Sequence, residues 1–309
     1  MEQNLIHIFP YSIQKSLSRV SWEGLEEIRV RIGFPIELIY GNRTEWLKQT
    51  KVCVTRQIID EMLNYMTGYS LYSLEEEIKQ GYVTINGGHR VGLVGHTAYG
   101  SEFGTYQVQN IVDISGLNIR IAHEKKGCAD EILLYIRRSF SIYNTIFFSA
   151  PGIGKTTYLR DCIRQIANGT DAISGLKTAV VDERSELAAC CQGKPQNDLG
   201  TRTDVLDACP KELGMKMLLR SMSPQVIAVD EIGKEREFEL LEEMRCCGVK
   251  LLGTIHAGNI EELLKNPKLK GCLESGAIER LVELIRLPSG ERTFHVYDAR
   301  GSVIVWPGK

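Results

Sequence analysis

The first strong pattern along the chain is an alternation in which Ile28, Val30 and Ile32 are separated by Arg29 and Arg31, until Gly33 and Pro35 impose a turn before Ile36-Glu37-Leu38-Ile39. A period of two sets one face of a strand toward a core, so two strands around a break are predicted. Between residues 56 and 80, Ile59, Met62, Leu63 and Met66, then Leu71, Leu74 and Ile78, recur at helical spacing on either side of Gly68, which predicts two short helices. The next stretch, YVTINGGHRVGLVGH, alternates on both sides of Asn86-Gly87-Gly88, and Asn-Gly readily takes the positive φ angles of a tight hairpin turn. These elements predict a small mixed α/β domain over residues 1–122, ending where the charged, glycine-containing HEKKGCAD suits a linker.

Beyond that point the period changes. A helix over EILLYIRRSF leads into the strand TIFFS, after which the apolar runs TAVVD, VIAVD and LLGTIH alternate with the helical stretches TTYLRDCIRQIA and EREFELLEEMRC. Strands that alternate with helices in this way build βαβ units around a parallel sheet, so residues 123–309 are predicted to form an α/β domain. The last segment, VELIRLPSGERTFHVYDARGSVIVW, reads as three strands separated by turns at Ser289-Gly290 and Arg300-Gly301, an antiparallel extension.

Composition narrows the classes without choosing among them. A chain of 309 residues with 43% apolar and 25% charged residues is long enough for two cores. With 37 basic against 39 acidic residues, the net charge of −2 gives no global field toward nucleic acid or an anionic bilayer. The nine cysteines show no CxxC spacing for zinc or redox chemistry and are read as reduced thiols of a cytosolic protein. No signal peptide is expected at the N-terminus, and no run approaches the roughly 18 apolar residues of a membrane-spanning helix.

The chemistry lies at the strand ends. Ser149-Ala150-Pro151-Gly152-Ile153-Gly154-Lys155-Thr156 follows a strand and opens a helix, the context in which backbone N–H groups and a helix N-terminus wrap phosphate oxygens. Lys155 is expected among the β- and γ-phosphates and the Thr156 hydroxyl on Mg²⁺, with Thr157 continuing the cradle; Ser149 stands where the GxxxxGK(S/T) motif has its first glycine. The run Val226-Ile227-Ala228-Val229 ends in Asp230 and Glu231, expected to hold Mg²⁺ and to polarise the attacking water. A second acidic strand end, Asp182-Glu183-Arg184-Ser185-Glu186, follows Lys155 by one helix plus one strand, and His256 ends the strand LLGTIH. In parallel sheets the carboxyl ends of strands form the ligand crevice, so all of these residues are expected in one place.

The order GxGKTT, VVDERSE, VIAVDEIG and GTIHAG behind a small α/β domain resembles the secretion-superfamily ATPases of type II and type IV secretion and pilus assembly, with the histidine motif as the discriminating part. Within that superfamily, IRVRIGFPIEL, GGHRVGLVG, SGLNIRIA, VVDERSELA and TIHAG resemble the stage III sporulation AA family of endospore-forming bacteria. The resemblance implies a RecA-like motor domain, ATP and Mg²⁺ as ligands and a homo-hexameric ring. It also implies a cytoplasmic protein on the mother-cell side of a membrane-embedded channel complex. It gives Asp182 and Asp230 to the metal, Glu183, Glu231 and His256 to catalysis, and makes Arg90 and Arg120 candidates for the arginines that complete the site. Secretion ATPases commonly have glycine where Asp230 stands, which leaves the division of labour among Asp230, Glu231 and Glu183 open. A nucleic-acid-dependent ATPase of helicase or helicase-loader type is the alternative, and a small-molecule kinase a third class.

Overall fold

The computed structural model describes residues 5–41, 43–47, 53–68, 75–102, 105–171 and 173–304. They form two compact units: residues 1–123 with 189–196, and residues 124–188 with 197–309. The excursion 189–196 belongs to the first unit, where the Gln196 side chain accepts the Gly87 N–H at 2.9 Å. A single cut in the sequence near residue 122 does not anticipate it.

The first unit is a six-stranded antiparallel sheet. Its strands are β1 (Glu27–Arg31), β2 (Glu37–Tyr40), β3 (Arg43–Trp46), β4 (Tyr82–Ile85), β5 (His89–Glu102) and β6 (Thr105–Arg120), in the order β3-β2-β1-β6-β5-β4. The alternation in β1 buries Ile28 and Val30 completely. They join Leu17 of α1 (Tyr11–Leu17), Ile59 and Met62 of α2 (Arg56–Thr67) and Ile78 of α3 (Glu75–Lys79) in one core. Gly68 ends α2 with φ of 57°, the left-handed cap that favours glycine. Leu71 and Leu74 lie outside the described residues. The β5–β6 pair runs on past the predicted hairpin, through register shifts at Val94/His96 and Ala98/Tyr99.

The second unit carries a seven-stranded sheet built from β7 (Thr145–Ser149), β8 (Thr178–Asp182), β9 (Thr203–Asp207), β10 (Val226–Val229), β11 (Lys250–His256), β12 (Arg280–Arg286) and β13 (Arg292–Asp298). The order is β9-β8-β10-β11-β7-β12-β13, parallel throughout except for the β12–β13 pair. β7, β8 and β10 are buried along their full length, as strands covered on both faces must be. Ile146, Phe148, Val181 and Ile227 pack with Met215 of α6 (Lys211–Ser221) and Phe238 and Leu241 of α7 (Glu235–Cys246). The helix α5 (Lys155–Asn168) buries Tyr158, Leu159, Cys162, Ile163 and Ile166.

Two expectations change. The helix predicted over EILLYIRRSF stops at Ile136 (α4, Asp130–Ile136), where Arg137 turns extended. Arg138 leaves to stack on Tyr143, its guanidinium carbon 3.8 Å from the ring centroid, and to pair with Glu279 at 3.1 Å. The C-terminal extension is antiparallel only in part, because β12 joins the parallel sheet beside β7. Its third strand is reduced to one bridge, Tyr297 to Val303, and residues 305–309 lie outside the described residues.

Candidate functional site: a strand-end crevice in the second unit

The ends of β8, β10, β11 and β7 are consecutive in the sheet, and that order gathers the polar residues. His256 is in register with Ser149, so the last residue of β11 lies beside the start of the phosphate-binding loop. Gly152 and Gly154 take φ of 79° and 110°, and α5 begins at Lys155. The first turn of any helix has N–H groups without intrahelical partners, and α5 begins directly after Gly154.

Lys155 is 6% exposed, and its Nζ donates to the Ser149 carbonyl at 2.9 Å and to His256 Nδ1 at 3.0 Å. Burial pushes this ammonium below the usual lysine value, with the Asp230 and Glu231 charges acting the other way. His256 Nε2 stands 3.0 Å from a Glu231 carboxylate oxygen. With Nδ1 accepting from Lys155, Nε2 carries the proton, so the imidazole links Lys155 to Glu231.

Asp230 accepts the Thr156 hydroxyl at 2.7 Å through one oxygen and the buried Thr254 hydroxyl through the other. A threonine hydroxyl and a carboxylate at the first turn of a helix are hard oxygen donors of the kind Mg²⁺ takes alongside phosphate oxygens, so the residues fit that ion. Glu231 has φ of +56°, a left-handed conformation that costs a non-glycine residue about 1–3 kcal/mol. Its carboxylate pairs with Arg184 at 2.7 Å and with His256. Burial raises its pKa, but the His256 hydrogen bond and the Arg184 and Lys211 charges outweigh that and hold it below the ordinary value.

The acidic loop after β8 is divided in its roles. Asp182, expected at the metal, is 2% exposed and accepts the N–H groups of Glu186 and Ala188, each at 2.8 Å. Both carboxylate oxygens therefore cap the loop. Glu183 pairs with Lys211 Nζ at 3.3 Å. Arg160 of α5, its ionised form disfavoured by burial, donates to the carbonyls of Glu186 and Leu187 from beneath. Among the described residues no three His, Cys, Asp or Glu side chains cluster as an all-protein metal site.

Arg90 and Arg120 lie in the first unit, opposite each other on β5 and β6. Arg90 covers the Tyr82 ring at 4.2 Å, and Arg120 stands 4.0 Å from Glu27. The sequence offered no arginine of the motor segment facing the phosphate-binding loop; the structure brings two to the crevice. Arg184 holds Glu231, and the Arg292 guanidinium of β13 lies 3.4 Å from where a Cβ on Gly154 would sit. Lys211 and Thr254 were also missed. Arg184 was in view within the acidic motif, but nothing in local spacing marks the others, which reach the site from strands and helices distant in sequence.

A roomier cavity of about 750 Å³ lies in the first unit, with Arg56, Asp60, Glu75 and Asp113 among its lining, but it has no phosphate-binding loop.

Residues 1–304 match the family described as Sporulation stage III, protein AA. The chain belongs to that family. The stage III sporulation protein AA of Bacillus subtilis (strain 168) is 41% identical over 303 residues, covering 97% of this chain and 96% of the relative. The uncharacterized protein ycf45 of Cyanidium caldarium is 29% identical over 293 residues, covering 92% and 78%. Among solved structures, the ATPase DotB of Legionella pneumophila superposes with a TM-score of 0.59 at 16% identity, over 93% of this chain and 80% of DotB. The pilus retraction motor PilT with bound ADP gives 0.58 at 16% identity, over 95% and 82%. This member of the stage III sporulation AA family thus has the fold of secretion ATPases, a RecA-like unit behind an N-terminal domain.

Proposed function

We propose that this protein is an ATP-hydrolysing motor of secretion-ATPase type that energises or assembles a membrane-embedded sporulation channel from the cytoplasmic, mother-cell side. The observation that carries the reading is the convergence of Lys155, the Thr156–Asp230 pair, Glu231 and His256 at adjacent strand ends. Family membership supports the sporulation context, and the fold shared with the ATPase DotB and the pilus retraction motor PilT supports the motor. We read residues 1–122 as the N-terminal domain and 123–309 as the motor domain of a homo-hexamer that works on partner proteins. Among the described residues no helix is long and apolar enough to cross a membrane.

The loop 149–154 and the N-terminus of α5, with Thr157 in its first turn, bind the phosphates. Lys155 exchanges its bonds to Ser149 and His256 for the β- and γ-phosphate oxygens. Thr156 and Asp230 hold Mg²⁺, which when bound offsets charge on the phosphates. Glu231, kept ionised by its partners, orients the attacking water, with Glu183 the other acid of the crevice that serves as catalytic group. His256 reports the position of Lys155 to Glu231. Arg184 and Arg292 stabilise charge on the transferred phosphoryl group, and Arg90 and Arg120 add to that stabilisation in the assembled ring.

Phosphate release from Mg·ATP, measured with and without single-stranded DNA or RNA, tests this. Turnover that is lost in Lys155→Ala, slowed at least about a hundredfold in Glu231→Gln with ATP still bound, and indifferent to nucleic acid supports the motor. Unchanged turnover in Lys155→Ala refutes the phosphate site. Strict dependence on nucleic acid favours the helicase-type alternative.

A further inference from the structure

Glu231 stands in a conformation that its own chemistry does not favour, and left-handed backbone at a non-glycine residue persists only where the surroundings over-determine it. Two restraints come from β11: the Thr254 hydroxyl accepts the Glu231 N–H at 2.8 Å, and the Thr254 carbonyl accepts the Ile232 N–H at 2.8 Å. The third comes from α6. Lys211 Nζ donates to the Glu231 carbonyl at 2.6 Å and stands 3.4 Å from the Asp230 carbonyl. The residue is tied at both its N–H and its C=O.

Lys211 is the first residue of α6, behind Pro210, and its side chain is 9% exposed. A buried ammonium needs compensation, which Glu183 supplies at 3.3 Å and Glu237, itself 1% exposed, at 3.5 Å. The other Glu237 oxygen accepts the N–H groups of Gly233 at 2.7 Å and Lys234 at 2.9 Å. One lysine therefore joins the end of β8, the turn after β10 and the start of α7. The Glu231 carboxylate itself goes to Arg184 and His256.

We propose that Lys211 is a positioning residue for the proposed hydrolysis: by clamping the carbonyls of the 230–231 turn it keeps Glu231 left-handed and its carboxylate aimed at His256 and the phosphate-binding loop. The proposal rests on the reading of Glu231 as the group that orients water. A lysine present only to balance Glu183 and Glu237 would change melting and leave the turn and the chemistry alone.

The test uses full-length protein carrying Lys211→Met, which keeps the apolar stem and removes the donors, and Lys211→Arg, which keeps the charge. Lys211→Met/Glu237→Gln is read in place of Lys211→Met if the uncompensated acid prevents folding. Each is compared with Glu231→Gln in Mg·ATP turnover, in affinity for a fluorescent ATP analogue, and in hydrogen exchange of the segment 229–234. Lys211→Met is expected to lower kcat about 10- to 100-fold, as a displaced catalytic group does. Nucleotide affinity should stay within about threefold, exchange in 229–234 should rise, and Lys211→Arg should recover part of the loss. On the Glu231→Gln background Lys211→Met should cost nothing further, because groups that act as a unit are non-additive. Unchanged kcat in a folded Lys211→Met protein, losses that multiply, or unchanged exchange would overturn the proposal. If the wild type neither binds nor hydrolyses ATP, the functional reading fails separately, and exchange alone decides the clamp: a rise upholds it and no rise overturns it.

Discussion

Replacing Thr254 by valine probes the site through one hydroxyl while keeping the shape of the side chain. Thr254 is fully buried on β11; its hydroxyl accepts the Glu231 N–H at 2.8 Å and donates to Asp230. Loss of a hydrogen bond to a charged acceptor costs about 1.5–3 kcal/mol, and a stranded buried N–H about 1–3 kcal/mol more. The two penalties share one site and relax together, so about 3 kcal/mol is expected overall. For a unit of roughly 150–250 residues each kcal/mol moves the melting point by about 2–4 °C, which gives a fall of about 6–12 °C in the transition of the second unit. Asp230 would also lose the bond that fixes it beside Thr156, so affinity for Mg·ATP should fall about tenfold while Mg²⁺-free nucleotide binding changes little. Scanning calorimetry and nucleotide titration with and without Mg²⁺ measure both effects, with Thr254→Ser, which keeps the hydroxyl, as the comparison. A Thr254→Val protein that melts and binds Mg·ATP as Thr254→Ser does would refute the assignment of this hydroxyl as the link between Asp230 and Glu231.

Asp182→Asn should lower the stability of the second unit by about 2 kcal/mol, since its carboxylate caps two N–H groups, and leave the Mg²⁺ dependence of nucleotide binding intact; loss of that dependence without destabilisation would return Asp182 to the metal. The first unit should weaken in acid. His89 is 1% exposed, and burial, with the His123 charge adding, lowers its pKa from 6.5 to about 4. The unfolded chain therefore takes up a proton that the folded one refuses, and stability falls as pH drops from about 6.5 to about 4, by at most about 3 kcal/mol. Denaturant unfolding across that range should show the slope in the wild type and lose it in His89→Gln. Finally, if the proposed ring forms, specific ATPase activity should rise steeply with protein concentration as light scattering records assembly, since arginines such as Arg90 and Arg120 from a neighbouring copy would raise turnover by roughly 10³–10⁵; constant activity per subunit from monomer to hexamer would show that Arg184 and Arg292 suffice.

The sequence by itself determined what depends on local periodicity and on chemistry fixed at a single strand end. The two-residue period of β1, the Asn86-Gly87-Gly88 turn between β4 and β5, the buried runs of β7, β8 and β10, and the loop ahead of α5 were legible because each is set by neighbours within a few residues. Asp230, Glu231 and His256 were legible because the carboxyl ends of parallel strands share one edge, whatever the strand order. Only the tertiary structure decided which ends touch. The order β8-β10-β11-β7 places His256 between Lys155 and Glu231, and sets Thr254 under Asp230. It also gave Asp182 two backbone N–H groups of its own loop as partners, and brought in Lys211 and Arg292 from a helix start and a hairpin strand whose local patterns carry no sign of phosphate chemistry. The physical reason is one of range: periodicity and turn propensity act over a few residues, whereas compensation of a buried charge is satisfied by whatever group the packed sheet and helices bring within about 3 Å.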